Sequence, residues 1–485
     1  MRKELLQGSA IALGVGIVAV LVVVAGLRTW RALAPPPRST RANLVLVVLD
    51  TVRRDHLQVY GYERPTTPRL QALAAQGTVF EEARSTSCWT LPAHASMFTG
   101  FLPFRHGADQ HHLALSGDPA TLARRLGDAG YDTAGISANP WVSYRTGLSR
   151  GFDHYRDLWR QRDRSRKTWT RHPSVAAARD WLDHGWDRKR PFFLFVNLMD
   201  AHGPYRPPRS SARVLFDGVG DMAGTFRRYR SIGRKGLVRA WFAGDEPVAP
   251  EALQAARRLY DAEIRSADAA MGEILDAVDA VSDPATTTVL VVTDHGENFG
   301  DHGLVGHAFS LHDTLVSVGL VARGPGFAPG ARANGPVSLV DVFPTLLAAA
   351  GLRAGVVDGV SLTVPPGEDR PIHASYAWPE QVLSTFYPRE LEDPRLEVHK
   401  RALTSAVVGP WKIVRGSDDS EVVYHLGEDP GETTPCEDVP AQVLDQLRKA
   451  AGVPSPGHQE PRSRRRSAPR FDDETSEALR ALGYL

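Results

Sequence analysis

Three apolar runs that end in aspartate constrain the fold of this chain more than any other feature of its sequence. They are ANLVLVVLD (42–50), PFFLFVNLMD (191–200) and TTTVLVVTD (286–294). Each run is continuously apolar and does not alternate as a half-exposed strand would, which predicts a strand buried on both faces. Strands of this kind occur in parallel sheets that are covered by helices on both sides.

Helical patterns between these runs support the same fold class. The segment from Pro250 to Val278 places its apolar residues at helical spacing, on one face that consists of Leu253, Tyr260, Ile264, Ala267, Met271, Ile274 and Val278. Strands that alternate with helices predict an α/β domain with a mostly parallel sheet flanked by helices. We assign this domain to residues 42–398.

The pattern changes after about residue 400. SAVVGPWKIVR and SEVVYHL are short strand-like runs separated by turn residues, which predict a small antiparallel subdomain over 399–485. That subdomain also includes a basic linker, PRSRRRSAPR (461–470), and an amphipathic terminal helix, DDETSEALRALGYL.

The N-terminal segment is predicted to be a transmembrane helix. Gly8 to Leu27 carries no charge and is long enough to span a hydrocarbon core, which takes roughly 20 residues. A cleaved signal peptide is the rival interpretation, with ALA at 32–34 as the cleavage site, but Pro35 follows it directly. We therefore interpret residues 1–41 as an uncleaved single-pass anchor and a linker.

The overall composition excludes few classes of function. The formal net charge is +1, so nothing in the overall charge suggests a nucleic-acid partner. Basic residues are concentrated between Arg206 and Arg239, either as a solvated loop or as a surface that gathers anionic substrate or lipid headgroups. The two cysteines, Cys88 and Cys436, do not make a disulfide framework.

The chemistry is expected where the buried strands end, because open α/β sheets bind ligands beyond the carboxyl ends of their strands. Asp50, Asp200 and Asp294 occupy these positions, and His295 and His202 follow closely. Aspartate and histidine together suit a divalent cation such as zinc or manganese. For Asp200, an orienting role at the end of its strand is the simpler interpretation.

Several motifs resemble the sulfatase family, within the alkaline-phosphatase superfamily. They are NLVLVVLDTVRRDH, SCWTLPAHASMFTG, NLMDAHGPYRPP, VVTDHGENFGDHG and GHAFSLHDTLVSVGL, and the similarity continues into WKIVR and VVYHLGEDPGET. The resemblance implies one large alkaline-phosphatase-like α/β domain and a C-terminal subdomain with a small antiparallel sheet. It also implies catalysis with one or two divalent metal ions, which could be zinc, manganese or calcium.

The resemblance implies roles for individual residues. Asp50, Asp294 and His295 match metal ligands, and Thr90 matches the nucleophile, whose oxygen also contacts the metal. Two histidines, His202 and His307, match residues that contact the substrate or a second metal. His94 stands where the family has an arginine, and it could bind an oxyanion, donate a proton or only fill that place.

Thr90 departs from the sulfatase pattern. Sulfatases convert a Cys or Ser in a C/S-x-P-x-R motif to formylglycine, but the Cβ methyl of Thr90 prevents the same oxidation to an aldehyde. The Asp294–His295 pair resembles instead phosphonate-monoester hydrolases, phosphoethanolamine transferases and lipoteichoic-acid synthases, and the last two use an unmodified threonine. Cys88 is not placed in the motif to act as a nucleophile, and we interpret it as a packing residue.

The sequence therefore predicts a membrane-anchored, metal-dependent sulfatase-family hydrolase or phosphotransferase with Thr90 as its nucleophile. Its substrate is expected to be an anionic phosphate- or sulfate-type ester, of a glycan or a lipid headgroup. The alternative is a catalytically silent, metal-bound binding protein. The family resemblance predicts an exported catalytic domain, periplasmic or extracellular, whereas the arginines that follow Leu27 argue against export.

Overall fold

The computed structural model describes residues 41–452, except 118, 161–171, 217–221, 231–247, 365–366, 368–369, 378, 380–382 and 384–392, and it also describes Leu479. The predicted anchor at Gly8–Leu27 and the basic linker lie outside the described residues, as does all but one residue of the terminal helix. Within the described part of the chain, no helix has the length and apolar character required to cross a membrane.

The chain divides into two compact units. The larger unit contains residues 41–186 and 191–485, and the smaller contains residues 1–40 and 187–190. In the described part of the smaller unit, the amide of Arg190 donates to the carbonyl of Asp187 over 2.9 Å, which closes a turn.

Fourteen strands are described, all in the larger unit. They are β1 (Asn43–Leu49), β2 (Thr78–Arg84), β3 (Asp132–Ser137), β4 (His154–Asp157), β5 (Phe192–Leu198), β6 (Thr287–Thr293), β7 (Asn298–Phe299), β8 (Val305–Gly306), β9 (Leu320–Arg323), β10 (Ala331–Ser338), β11 (Ile372–Tyr376), β12 (Leu403–Val408), β13 (Trp411–Gly416) and β14 (Glu421–His425).

Eight of these strands form one sheet in the order β10-β2-β9-β6-β1-β5-β3-β4. Every pairing in it is parallel except the two that β9 makes, with β2 and with β6. The predicted α/β class with a mostly parallel sheet is therefore confirmed. The three aspartate-ended runs are β1, β5 and β6, which lie side by side at the centre.

Eleven α-helices lie in the described part of the chain. They are α1 (Pro68–Ala74), α2 (Thr90–Thr99), α3 (Pro103–His106), α4 (Leu122–Asp128), α5 (Pro173–Asp180), α6 (Arg209–Phe216), α7 (Met222–Arg230), α8 (Pro250–Val281), α9 (Asp313–Val316), α10 (Val342–Ala349) and α11 (Ala441–Ala451).

Two apolar cores cover the two faces of the large sheet. Alternate residues of β1 point to opposite faces: Leu44 and Leu46 join the core with α2, α4 and α10, and Val45 and Val47 join the core with α1, α5 and α8. The predicted apolar face of α8 is buried in the second core, apart from its first member, Leu253, which is half-buried. Covered faces of this kind explain why the runs are continuously apolar.

A second, four-stranded sheet is antiparallel, in the order β11-β12-β13-β14, and α11 packs against it. The small C-terminal antiparallel sheet is thus confirmed. Its first strand, β11, lies before residue 399, and the domain boundary at that residue stays a prediction.

Gly77 provides a test of how closely β2 and β9 are packed. A Cβ atom at Gly77 would lie 2.1 Å from the carbonyl oxygen of Ala322, on β9. We expect Gly77→Ala to lower the free energy of unfolding by about 1–3 kcal/mol in urea denaturation, because the backbone of β9 must move. At Gly117 an added Cβ meets nothing within 4 Å, so Gly117→Ala should change stability by less than about 0.5 kcal/mol. Equal stabilities for the two variants would contradict this account.

Candidate active site

Asp50 and Asp294 meet at the carboxyl edge of the sheet because β1 and β6 are parallel neighbours. Leu49 pairs with Thr293 in this register, so the aspartates that follow them emerge side by side. Both side chains are fully buried. A pair of buried carboxylates is electrostatically costly unless hydrogen bonds or a cation offset their charges.

Asp50 is held by three side-chain donors. The amides of Asn139 and Asn197 each donate to Oδ2 over 2.8 Å, and the hydroxyl of Thr51 donates to Oδ1 over 2.8 Å. Sequence reasoning missed both asparagines, although Asn197 lies within the second apolar run and Asn139 follows the end of β3. A polar residue inside a buried strand was the signal that could have indicated Asn197.

Thr51 connects the two carboxylates through a left-handed backbone conformation with φ 61°. Its amide donates to Asp294 Oδ1 over 2.9 Å, and its carbonyl accepts from the hydroxyl of Tyr260 on α8 over 2.7 Å. A β-branched residue with positive φ is strained, and such strain concentrates at functional sites. The contacts of Thr51 with Asp50, Asp294 and Tyr260 hold it in that conformation.

Asp294 has one satisfied and one unsatisfied oxygen. Oδ1 accepts from the amides of Thr51 and His295, whereas Oδ2 is buried without a hydrogen-bond partner among the described residues. Burial, together with the charge of Asp50, raises the pKa of Asp294 well above its usual value. A divalent cation would stabilise a buried carboxylate oxygen that has no hydrogen-bond donor and lies next to a second carboxylate.

Thr90 is the first residue of α2, and its hydroxyl contacts His295 and Asn139, which lie beside the two aspartates. Its Oγ1 is 3.2 Å from His295 Nε2 and accepts from the amide of Asn139 over 3.3 Å. His295 Nδ1 lies 3.0 Å from the carbonyl of Gly296, which assigns its proton to Nδ1 and leaves the lone pair of Nε2 facing Thr90. The N-terminus of α2 adds a partial positive charge beside the hydroxyl.

The histidines of the site are in their neutral form at neutral pH. Burial, with His307 alongside, lowers the pKa of His295 to about 3, and burial lowers that of His307 to about 4. Burial also lowers the pKa values of His94 and His202. Neutral imidazole is the form that ligates metal ions.

His202 and His307 lie beside His295. The ring centroid of His307 is 4.9 Å from that of His202 and 4.7 Å from that of His295. Sequence reasoning missed Glu297, which lies beside them. Its Oε2 is 3.4 Å from His307 Nδ1 and accepts from the hydroxyl of Tyr205 over 3.2 Å. Burial raises the pKa of Glu297 to about 7.

His94 lies one helical turn after Thr90, and its Nδ1 lies 3.5 Å from Asp294 Oδ2. Its Nδ1 is 3.0 Å from the carbonyl oxygen of Thr90, and its Nε2 is 3.4 Å from the amide nitrogen of Asn197. The ring also packs edge-on against Phe98 and Phe195. Both ring nitrogens therefore contact protein groups that hold Thr90 and Asp50 in place.

Asp200 and Cys88 lie apart from the reactive group. Asp200 accepts from the Oγ of Ser266 over 3.0 Å and contacts His172 Nε2 at 3.1 Å, which agrees with an orienting role. Cys88 is buried in the first core, and burial raises the pKa of its thiol. A buried thiol of this kind is not a nucleophile.

Asp50, Asp294 and His295 could hold a metal ion together. One potential ligand atom from each lies within 4.8 Å of the others. Two carboxylates and an imidazole suit zinc or manganese better than calcium, which prefers oxygen ligands. The unsatisfied oxygen of Asp294 and the neutral state of His295 fit such an ion.

Comparisons with known proteins identify the family of this chain. Residues 42–352 match the family model described as Sulfatase. The choline-sulfatase of Rhizobium meliloti (strain 1021) is 30% identical over 459 residues, which cover 85% of this chain and 85% of that relative.

Solved structures share the fold. BT4656, in complex with its substrate D-glucosamine-2-N,6-O-disulfate, superposes with a TM-score of 0.67 at 18% identity, covering 87% of this chain and 100% of that chain. The phosphonate monoester hydrolase of Agrobacterium radiobacter superposes with a TM-score of 0.63 at 21% identity. The match covers 81% of this chain and 91% of that chain. The matched family model and the choline-sulfatase relative show an ester hydrolase, and the solved structures share its alkaline-phosphatase-like fold. The chain belongs to the sulfatase family.

Substitution of Asn139 tests whether its hydrogen bonds position Asp50 and Thr90. Because its amide donates both to Asp50 and to the Thr90 hydroxyl, we expect Asn139→Ala to lower kcat/KM by roughly 10–100-fold. Asn43→Ala is the matched control, since Asn43 lies at the opposite end of β1 and its side-chain oxygen accepts from the amide of Phe192. Steady-state kinetics on any turned-over ester checks the prediction, and equal loss in both variants would contradict it.

Proposed function

We propose that this protein is a metal-dependent hydrolase or transferase of phosphate-type esters that uses unmodified Thr90 as its nucleophile. The observation that carries the proposal is the placement of the Thr90 hydroxyl, whose Oγ1 lies 3.2 Å from His295 Nε2 and next to the buried pair Asp50 and Asp294. Sulfate esters are the less favoured substrates.

In the proposed reaction, Thr90 Oγ attacks phosphorus in line with the leaving group. The Thr90 hydroxyl loses its proton to solvent as the Oγ–P bond forms, the bond from phosphorus to the leaving oxygen breaks, and that oxygen takes up a proton from solvent and leaves as an alcohol. Water, or an acceptor alcohol in a transferase, then attacks the phosphothreonine and restores the Thr90 hydroxyl.

The residues around Thr90 have distinct tasks in this reaction. Asn139 donates a hydrogen bond to Oγ and stabilises negative charge on it, and the N-terminus of α2 stabilises charge on the phosphoryl oxygens. His94 is a positioning residue, because its nitrogens face the carbonyl of Thr90 and the amide of Asn197.

Asp50, Asp294 and His295, with Thr90, would hold the catalytic cation. A divalent ion there supplies Lewis acidity, which lowers the pKa of the hydroxyl and neutralises charge on the ester. A second ion would be held by His202 and His307, whose ring centroids lie 4.9 Å apart, with Glu297 3.4 Å from His307 Nδ1.

Thr90 favours phosphate over sulfate for a chemical reason. Formylglycine releases sulfate easily by collapse of its hydrated aldehyde, whereas an ester on the Thr90 side chain must be hydrolysed directly. Direct hydrolysis of a phosphoryl-enzyme is well suited to a metal site, since the cation stabilises the oxygens that enter and leave.

We further propose that Gly8–Leu27 anchors the enzyme in a membrane and that the catalytic domain is exported. The uncharged length of that segment supports the anchor. A glycan or a small headgroup ester is the proposed substrate class, supported by the disulfated glucosamine bound by BT4656 and by the choline-sulfatase relative.

Substitutions of Thr90 test the nucleophile. We expect Thr90→Val, which keeps the shape but lacks the hydroxyl, to lower kcat by about 10³-fold or more, and Thr90→Ser to retain measurable turnover. The assay uses aryl phosphodiesters, phosphonate monoesters and sulfate esters with added zinc, manganese or calcium. Mass spectrometry of acid-quenched Thr90→Ser and wild-type enzyme should detect a phosphorylated peptide that contains residue 90.

The same panel separates the alternatives. Turnover confined to sulfate esters would overturn the phosphate preference. Absence of turnover on every ester, with wild type and Thr90→Val indistinguishable, would favour the catalytically silent binding protein.

Removal of the metal tests the cation requirement. Dialysis against a chelator should abolish turnover, and zinc or manganese should restore it in wild type but not in Asp294→Asn, which weakens the ligand set. Asp200→Asn is the matched control, because Asp200 contacts His172 and Ser266 instead of the site. Full turnover after complete removal of metal, confirmed by elemental analysis, would contradict a metal-dependent reaction.

A further inference from the structure

A second group of potential metal ligands lies outside the candidate active site. His302 lies in the turn that follows β7, His312 directly precedes α9, and Glu432 follows β14 of the antiparallel sheet. One ligand atom from each lies within 4.8 Å of the others. We infer that His302, His312 and Glu432 form a zinc site that links the loop after the catalytic strand β6 to the C-terminal sheet.

The contacts of His312 point to a ligand that is shared with Glu432. Its Nδ1 lies 3.6 Å from Glu432 Oε2, which is too long for a hydrogen bond. The Nδ1 atom is shielded from solvent and has no hydrogen-bond partner among the residues that the structure describes. Burying an imidazole nitrogen without a hydrogen-bond partner costs free energy. An ion between this nitrogen and the carboxylate would remove that cost.

His302 is held over His312 by an unusual backbone conformation. Its φ is 53°, in the left-handed region that a non-glycine residue seldom adopts. The rings of His302 and His312 are nearly parallel, with centroids 3.6 Å apart and an interplanar angle of 8°. Coordination requires the rings to turn from this stack until a nitrogen of each points to one ion. The exposed position of His302 leaves room for that movement.

The neighbouring ion pairs decide which oxygen of Glu432 can serve the ion. Lys412 is buried and pairs with Glu432 Oε1 at 2.7 Å and with Asp313 Oδ1 at 2.6 Å, and Arg84 pairs with Asp313 Oδ2 at 3.1 Å. Because Lys412 pairs with Oε1 of Glu432, the other oxygen, Oε2, is the one that can serve the ion. The amide of Asp313 donates to the same oxygen and orients it.

Two imidazoles and one carboxylate indicate zinc as the ion. Zinc takes histidine nitrogen and carboxylate oxygen in a four-coordinate site, and solvent at the exposed side of His302 can supply the fourth ligand. Calcium and magnesium prefer oxygen ligands and fit this set poorly.

The site would stabilise the loop that carries active-site residues. Asp301, next to His302, pairs with Arg53 at 2.9 Å, and Arg53 donates to the carbonyl of Glu297 over 3.1 Å. A zinc ion that joins His302 to Glu432 therefore restricts the segment between Glu297 and His302. The expected role is structural and does not require the proposed function.

Zinc binding by the full chain, purified in detergent, tests the inference. We expect the double variant His302→Asn, His312→Gln to bind one zinc fewer per chain than wild type in equilibrium dialysis, and each single variant to bind that zinc at least tenfold more weakly. Asparagine is chosen at 302 because it tolerates a left-handed backbone. His154→Asn is the control, since this half-exposed histidine faces Asp132 elsewhere and should leave zinc binding unchanged.

Two further measurements separate this site from the catalytic one. Asp50→Asn should retain the zinc that the double variant loses, and zinc should raise the melting temperature of wild type more than that of the double variant. If the double variant does not fold, His302→Asn alone serves, because its side chain is exposed. Equal zinc content in wild type and His302→Asn across the dialysis range would overturn the inference and leave the two histidines as a stacked pair only.

Discussion

The buried pair of carboxylates at the ends of β1 and β6 is the constraint on which the rest of the site depends. Asp50 and Asp294 are both fully buried and adjacent, so their mutual repulsion must be offset within the protein. Donors from Thr51, Asn139 and Asn197 offset part of it. The remaining unsatisfied oxygen of Asp294 supports the proposed cation site, and Thr90, the proposed nucleophile, lies beside the pair.

The sheet supplies the rigidity that this pair requires. Parallel pairing of β1 with both β5 and β6 fixes the separation of their ends, and cores on both faces prevent the strands from shifting. Tyr260, from the middle of α8, reaches through one core to hold the strained Thr51. Packing of a distant helix thus stabilises a backbone conformation that its own local sequence does not favour.

Much of the site could be anticipated because the residues stand next to recognisable elements. Asp50, Asp294 and His295 follow apolar runs, and Thr90 lies in a family motif, so their convergence followed from strand order. Asn139, Asn197 and Glu297 were missed because an amide or carboxylate acquires its role only from the partner it faces, and those partners lie far away in the chain. For the same reason Asp200, which ends a strand just as Asp50 does, turns to His172 and Ser266 instead.

The sequence by itself determined the class of fold, the family and the residues that end the central strands, since periodicity, burial and motif order are properties of local chemistry. Only the tertiary structure decided the direction of each side chain. His94 contacts the carbonyl of Thr90, Thr51 hydrogen-bonds to both carboxylates, and His302 stacks on His312. These arrangements depend on contacts between segments far apart in the chain, which packing brings together and which no local pattern encodes.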